Sequence, residues 1–96
     1  MKVRFQWDRK KAAANRRKHR VGFEEAGTVF DDGLARIFDD VAHSTGEQRE
    51  IIIGHSILNR LLVVSFAELE TGNIRVISAR LANRKELEDY EENVRA

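Results

Sequence analysis

Three runs follow one another in the second half of the chain, and their spacing constrains the fold more than any other feature. REIIIGHSI (residues 49–57), RLLVVSFAE (60–68) and NIRVISAR (73–80) are rich in β-branched and aliphatic residues, the pattern of strands. Leu58-Asn59 separates the first two, and the second pair is joined through a segment holding Thr71-Gly72. Connections this short reverse the chain, because parallel neighbours need a crossover of about a dozen residues or more. An antiparallel sheet is therefore built into the order of the runs.

The remaining segments read as short elements around that sheet. VRFQW at 3–7 alternates as a strand, and Asp8 offers an N-cap to a helix over about 9–19. Arg20-Val21 begins a break that Gly22 closes, and a second helix runs from Phe23 to Phe30 with Phe23, Ala26, Val29 and Phe30 on one face. Asp31-Asp32-Gly33 is a turn, LARIFDD at 34–40 an edge-like strand, and His43 to Gly46 a polar loop. The last helix starts near Asn83. Asn83-x-x-Glu86 has the spacing of a capping box, and Leu87, Tyr90 and Val94 form the apolar stripe. The expected order is β-α-α-β-β-β-β-α, an α+β fold. Two N-terminal helices and one C-terminal helix flank the antiparallel β-sheet, and residues 1–96 make a single domain.

Several function classes drop out. There is no cysteine, so disulfides and thiolate metal sites are impossible and a reducing, cytoplasmic setting fits. MKVRFQWDRKK lacks the apolar core of a signal peptide, and no apolar run would span a bilayer. His19, His43 and His55 are scattered without ligand spacing, so no metal site is expected, and no glycine loop would cradle a phosphate. No cofactor is expected. The net charge is only +1, but its distribution is uneven. Residues 9–20 carry Arg9, Lys10, Lys11, Arg16, Arg17, Lys18, His19 and Arg20 with no acid among them, whereas the C-terminal helix is acidic. A solvated helix face and a polyanion-binding face both fit this pattern.

What remains is cation-rich chemistry where the last strand meets the last helix. Strict alternation places Arg75 and Arg80 on opposite sides of the strand. Metal-free RNA cleavage needs a proton acceptor for the 2′-hydroxyl, an acid for the leaving oxygen and fixed positive charge around the phosphate. Arg80 suits the last task, since a guanidinium fork gives two donors to phosphate oxygens, with Lys18 or Arg75 assisting. Each candidate also has a structural reading. Arg80 pairs with Glu86, Glu86 caps the helix, Arg75 snorkels from a partly buried face, and Tyr90 packs. His19 meets the helix macrodipole, His55 is a satisfied, half-buried histidine, and His43 is a loop residue.

Two blocks carry a family resemblance. F-Q-W-D-x-x-K-x-x-x-N-x-x-K-H runs from Phe5 to His19 and is followed by V-x-F-E-E-A from Val21 to Ala26. I-R-V-I-S-A-R-x-A runs from Ile74 to Ala82 and is followed by Glu86 and Tyr90-Glu91. Together they resemble the BrnT family, RelE-like ribonuclease toxins of type II toxin–antitoxin modules. The resemblance implies a metal-independent endoribonuclease that cuts RNA and arrests growth. It implies a BrnA-like antitoxin as partner, two toxins with two antitoxins, and operator DNA contacted only through the antitoxin. It implies catalytic positions at Arg80, Glu86, Tyr90, His19 and Arg75, and RNA-binding positions at Lys11, Lys18, Arg17 and Arg84. Departures are Arg20 where a glycine is frequent, Asn83 where a threonine is frequent, and Ala67-Glu68-Leu69 where a Thr-x-Arg strand end is frequent. The last leaves a second reading, a catalytically weak or inactive antitoxin-binding module acting as co-repressor or scaffold.

Overall fold

The computed structural model describes residues 3–95, except the side chains of 94 and 95. The elements are β1 (Phe5–Gln6), α1 (Arg9–His19), α2 (Phe23–Thr28), β2 (Arg36–Asp39), β3 (Glu50–His55), β4 (Leu61–Glu68), β5 (Ile74–Leu81) and α3 (Arg84–Arg95), with single 3-10 turns at Val29–Asp31 and Val41–His43. The order is the expected one, and α1 has its expected bounds. Asp8 caps α1 by accepting from the N–H groups of Lys10 and Lys11 at 2.7 and 3.2 Å. At the other end Arg20 adopts the left-handed conformation (φ 60°, ψ 32°), and its N–H closes the helix on the Arg16 carbonyl. A side chain in that region is strained and glycine is not. Arg20→Gly is therefore expected to raise stability by about 1 kcal/mol, read as a higher melting temperature in calorimetry.

The strand order is β1-β5-β4-β3-β2. Strands β2 to β5 form the antiparallel meander expected from their short connections. The sheet as a whole is mixed, because β1 lies parallel to β5. The chain between them passes through both N-terminal helices and three strands, ample length for such a crossover.

One face of the sheet carries the core. Ile52, Leu62, Val64, Phe66, Val76 and Ala79 meet Val21, Phe23, Ala26 and Val29, all buried. Phe30 packs edge-on against Phe66 at 4.9 Å between centroids. Gly54 is needed by this packing. A Cβ there would come within 2.8 Å of the Ala35 methyl, so the strand bearing it can lie close against the segment that follows the 3-10 turn.

The expected alternation along β5 fails in the middle. Ser78 pairs with Ser65 but Val76 pairs with Phe66, so Ile77 is an extra residue opposite the Ser65/Phe66 step. Such a bulge inverts the facing of everything beyond it. Arg75, Ser78 and Arg80, whose partners are Ala67, Ser65 and Val63, consequently share the face away from the core. Arg75 and Arg80 do not lie on opposite sides, as strict alternation had suggested. The same shift explains why Val76 and Ala79, three residues apart, are both core residues.

Both margins of the sheet are completed by side chains. Strand β1 pairs only with Ile74 and Arg75, leaving the outer edge of β5 open further along. Asn15 of α1 fills that gap. Its Oδ1 accepts from the Ala79 N–H at 3.1 Å, and its Nδ2 donates to the Ala79 carbonyl at 2.8 Å and to the Val21 carbonyl at 3.0 Å. At the opposite margin β2 pairs no further than Ile53. There the Asp32 carboxylate accepts from the His55 N–H at 2.8 Å. An amide and a carboxylate thus stand in for missing strand.

Candidate functional site

The joint between β5 and α3 is built by a complete capping box. The Glu86 N–H donates to Asn83 Oδ1 at 2.8 Å, and Glu86 Oε1 accepts from the Asn83 N–H at 2.9 Å. The same carboxylate receives Arg80 in a two-point contact, Nη1 to Oε1 at 2.8 Å and Nη2 to Oε2 at 2.9 Å. Nη1 also donates to the Leu81 carbonyl at 3.3 Å. The pairing of Arg80 with Glu86 anticipated from sequence is present, and it does not exhaust the guanidinium. Of its five N–H donors, Nε–H and the second Nη2–H have no protein acceptor among the described residues. These two lie along one edge of the plane, the geometry that meets two phosphate oxygens. The Arg80 side chain is 41% exposed. The Arg80 hydrogen bonds hold the Glu86 carboxyl below the usual carboxylate range, against the opposing effect of burial. The Arg80 guanidinium is held above its ordinary value in return. Glu86 is thereby a fixed anion that orients Arg80.

Arg75 stands on the same sheet face, roughly 15 Å from Arg80 along the strand at 3.3 Å per residue. Its guanidinium is ion-paired with Glu47, which also lies 3.8 Å from Arg49. Its cationic charge is therefore partly neutralised by the preceding loop.

The cations of α1 fall into separate groups. With about 100° per residue, Lys11 and Lys18 lie on one flank of the buried Asn15 and beside the outer edge of β5. His19 lies on the other flank with Ala12, and both are half-buried. Arg17 projects from the far side of the helix, about 160° from Asn15, and is exposed. Arg84 is exposed in the first turn of α3.

Tyr90 occupies the next turn of α3 after Glu86 and is buried, 6% exposed. Its hydroxyl donates to Asp32 Oδ2 at 3.1 Å, and its ring meets the His55 ring edge-on at 5.3 Å. Burial pushes the phenol pKa up, and the hydrogen bond to Asp32 adds to the shift. Leu87 is partly exposed, while the Val94 side chain lies outside the described residues.

Asp32 was legible only as a turn residue, yet its carboxylate joins three segments. It accepts from the Leu34 N–H at 2.9 Å, from the His55 N–H and from Tyr90. Burial raises its pKa, but these bonds outweigh burial and leave it below the usual value. Aspartate before glycine signals an Asx turn; nothing local signals the partners on β3 and α3. A second network was equally hidden. Glu25 accepts from Ser56 Oγ at 2.6 Å and from Arg60 Nε at 2.9 Å, and it pairs with Arg60 Nη2. Arg60 also reaches the Arg20 carbonyl at 3.2 Å. The β3–β4 turn is thereby tied to both N-terminal helices.

Ala67-Glu68-Leu69 ends β4 and enters the turn to β5. Ala67 is buried and pairs with Arg75, and Glu68 pairs with Ile74. The place of the frequent arginine, Leu69, therefore lies at the start of β5, whereas Arg80 lies near its end. No group of three or more His, Asp or Glu able to hold a metal ion occurs among the described residues, and no described helix is long and apolar enough to cross a membrane.

Comparison with known proteins bears on both sequence and fold. Residues 7–86 match the sequence family described as the ribonuclease toxin, BrnT, of type II toxin–antitoxin systems. Among solved structures, the fold is similar to the 1.1 Å crystal structure of the Brucella abortus ribonuclease toxin BrnT. The TM-score is 0.68 at 24% sequence identity, covering 86% of this chain and all of that one. At that identity the likeness speaks for the fold. No curated protein sequence matches the chain.

Proposed function

Because the chain belongs to the BrnT family of ribonuclease toxins of type II toxin–antitoxin systems, we propose that it is a metal-independent endoribonuclease acting through the β5–α3 joint. In this reading the 2′-hydroxyl oxygen attacks the adjacent phosphorus, forming a cyclic phosphate and breaking the bond to the 5′ oxygen. The 2′ proton leaves to a general base, and the departing oxygen takes up a proton. The observation that supports this reading is the open edge of Arg80, held by Glu86 beside the free N–H groups at the start of α3. Two donors there stabilise the charge that develops on the non-bridging oxygens.

The other candidates take roles consistent with their surroundings. Glu86 is a positioning residue, since a carboxylate held well ionised by an arginine is a poor proton acceptor. Tyr90 positions α3 through Asp32. His19, on the flank of α1 that Ala12 packs toward the core, takes no part in proton transfer on the Arg80 face. Lys11 and Lys18 hold flanking phosphates, with Arg84 adding charge at the helix start. Arg75 and Arg17 serve the RNA path only at its periphery. The toxin acts in the cytoplasm, where its RNA is, and a BrnA-like antitoxin silences it in a complex of two toxins and two antitoxins. Operator DNA is reached through the antitoxin. The Thr-x-Arg position, held here by Ala67-Glu68-Leu69, lies at the start of β5 and away from Arg80, which favours an active enzyme over a scaffold.

Induced expression in a bacterial culture tests this. Growth is expected to stop, cellular RNA to fragment, and antitoxin co-expression to restore growth. Purified chain should cut RNA equally well with and without a chelator. Normal growth and intact RNA alongside soluble, folded chain would instead establish the non-catalytic antitoxin-binding module.

A further inference from the structure

Strand β2 ends the sheet, and no strand among the described residues pairs with its outer backbone groups. All four of its residues are exposed, including Ile37 at 54% and Phe38 at 46%, which face opposite sides. Unpaired edges are ordinarily blunted by charge or proline; this one has Arg36 and Asp39 at its ends but carries two large apolar side chains at its centre. Beside it, between β2–β3 and α3, runs a groove of about 290 Å³. Phe38, Ile53 and Tyr90 form its apolar lining, Glu86, Asp89 and Glu92 form a mainly acidic rim, and Arg36 and Asn93 complete it. Glu86 is engaged by Arg80, while Asp89 and Glu92 have no ion-pair partner among the described residues.

Carboxylates around an apolar floor repel a phosphate backbone and favour a cationic polypeptide. From this the geometry points to β2 and its groove as the docking surface for the antitoxin. An extended antitoxin segment adds as a sixth strand, sets apolar side chains against Ile37 and Phe38, and extends Lys or Arg toward Asp89 and Glu92. This deepens, and rests on, the toxin–antitoxin reading. A second copy of the chain is a poorer occupant. Antiparallel pairing through β2 would set two acidic α3 rims on the same face, where like charges oppose association.

The experiment measures binding of the full chain to immobilised antitoxin from its own operon, with two double variants. Ile37→Thr with Phe38→Ser removes the apolar contacts, and Asp89→Lys with Glu92→Lys reverses the rim. Each is expected to weaken binding by about 30-fold or more. Melting temperature and RNA cleavage without antitoxin should stay at wild-type levels, since neither pair touches Arg80. Undiminished binding by folded variants would overturn the assignment of this face. So would a wild-type chain that dimerises alone and loses the dimer with Phe38→Ser. A wild-type chain that binds no antitoxin would overturn the toxin–antitoxin reading itself, a different result.

Discussion

Arg80→Ala is expected to lower RNA cleavage by about 100-fold or more, the usual cost of deleting a donor aimed at developing charge, and to relieve growth arrest. The fold should survive. The pair with Glu86 is partly solvated on both sides (41% and 24% exposed), so after solvent screening its loss costs about 1 kcal/mol or less. The capping box does not depend on it either, because Asn83 still bonds Glu86 in both directions. Arg80→Lys should recover little activity, since an ammonium cannot hold Glu86 and present a two-donor edge together. Glu86→Gln should reduce activity less than Arg80→Ala, because the amide oxygen can still orient one guanidinium nitrogen. Abolition by Glu86→Gln together with full activity in Arg80→Ala would reverse the assignment and make the carboxylate the proton acceptor. The pair also has a pH signature. Glu86 has a depressed carboxyl pKa in the fold, so its contribution is present above the ordinary carboxylate pKa and is lost as pH falls through the folded value. Acid titration of stability should show this loss in the wild type and less of it in Arg80→Ala.

The largest effect on stability is expected at Asn15. Asn15→Leu keeps the number and branching of heavy atoms but removes all three bonds of the side chain. The N–H and carbonyl of Ala79, a fully buried residue, and the carbonyl of Val21, also fully buried, lose their partners. Unpaired buried backbone groups cost about 1–3 kcal/mol each, so a total of about 3 kcal/mol or more is expected. For a domain of this size that lowers the melting temperature by about 15 °C. Asn15→Asp makes a sharper comparison. It keeps the acceptor for the Ala79 N–H but turns a carboxylate oxygen toward two carbonyls. Its folded-state pKa should therefore rise, and its destabilisation should ease as pH falls and the carboxyl protonates. If both variants melt within about 2 °C of wild type, less than the cost of one unmade bond, the amide is not completing the sheet.

These two residues mark different depths of legibility. Glu86 could be placed from sequence because a capping box is local, with Asn83 three residues before it and both partners in one turn. Asn15 gave a weaker signal, a neutral polar residue in a helix too poor in large apolar side chains to be held by them. Its partner is 64 residues away at Ala79. Asp32 showed its turn chemistry in the sequence, but its bonds to His55 and Tyr90 span 23 and 58 residues.

By itself the sequence determined the element order, the bounds of α1, the antiparallel meander and the cationic strand-to-helix joint. Each of these rests on contacts within a few residues, on side-chain periodicity, or on a connection too short to permit another topology. Only the tertiary structure decided that Arg75 and Arg80 share a face, that α1 completes the edge of β5, and that β2 remains open beside an acidic groove. A bulge is a property of two paired strands, and an edge exists only once every other strand has found its neighbour. Pairing at long range, which no local pattern encodes, therefore settled where the site faces.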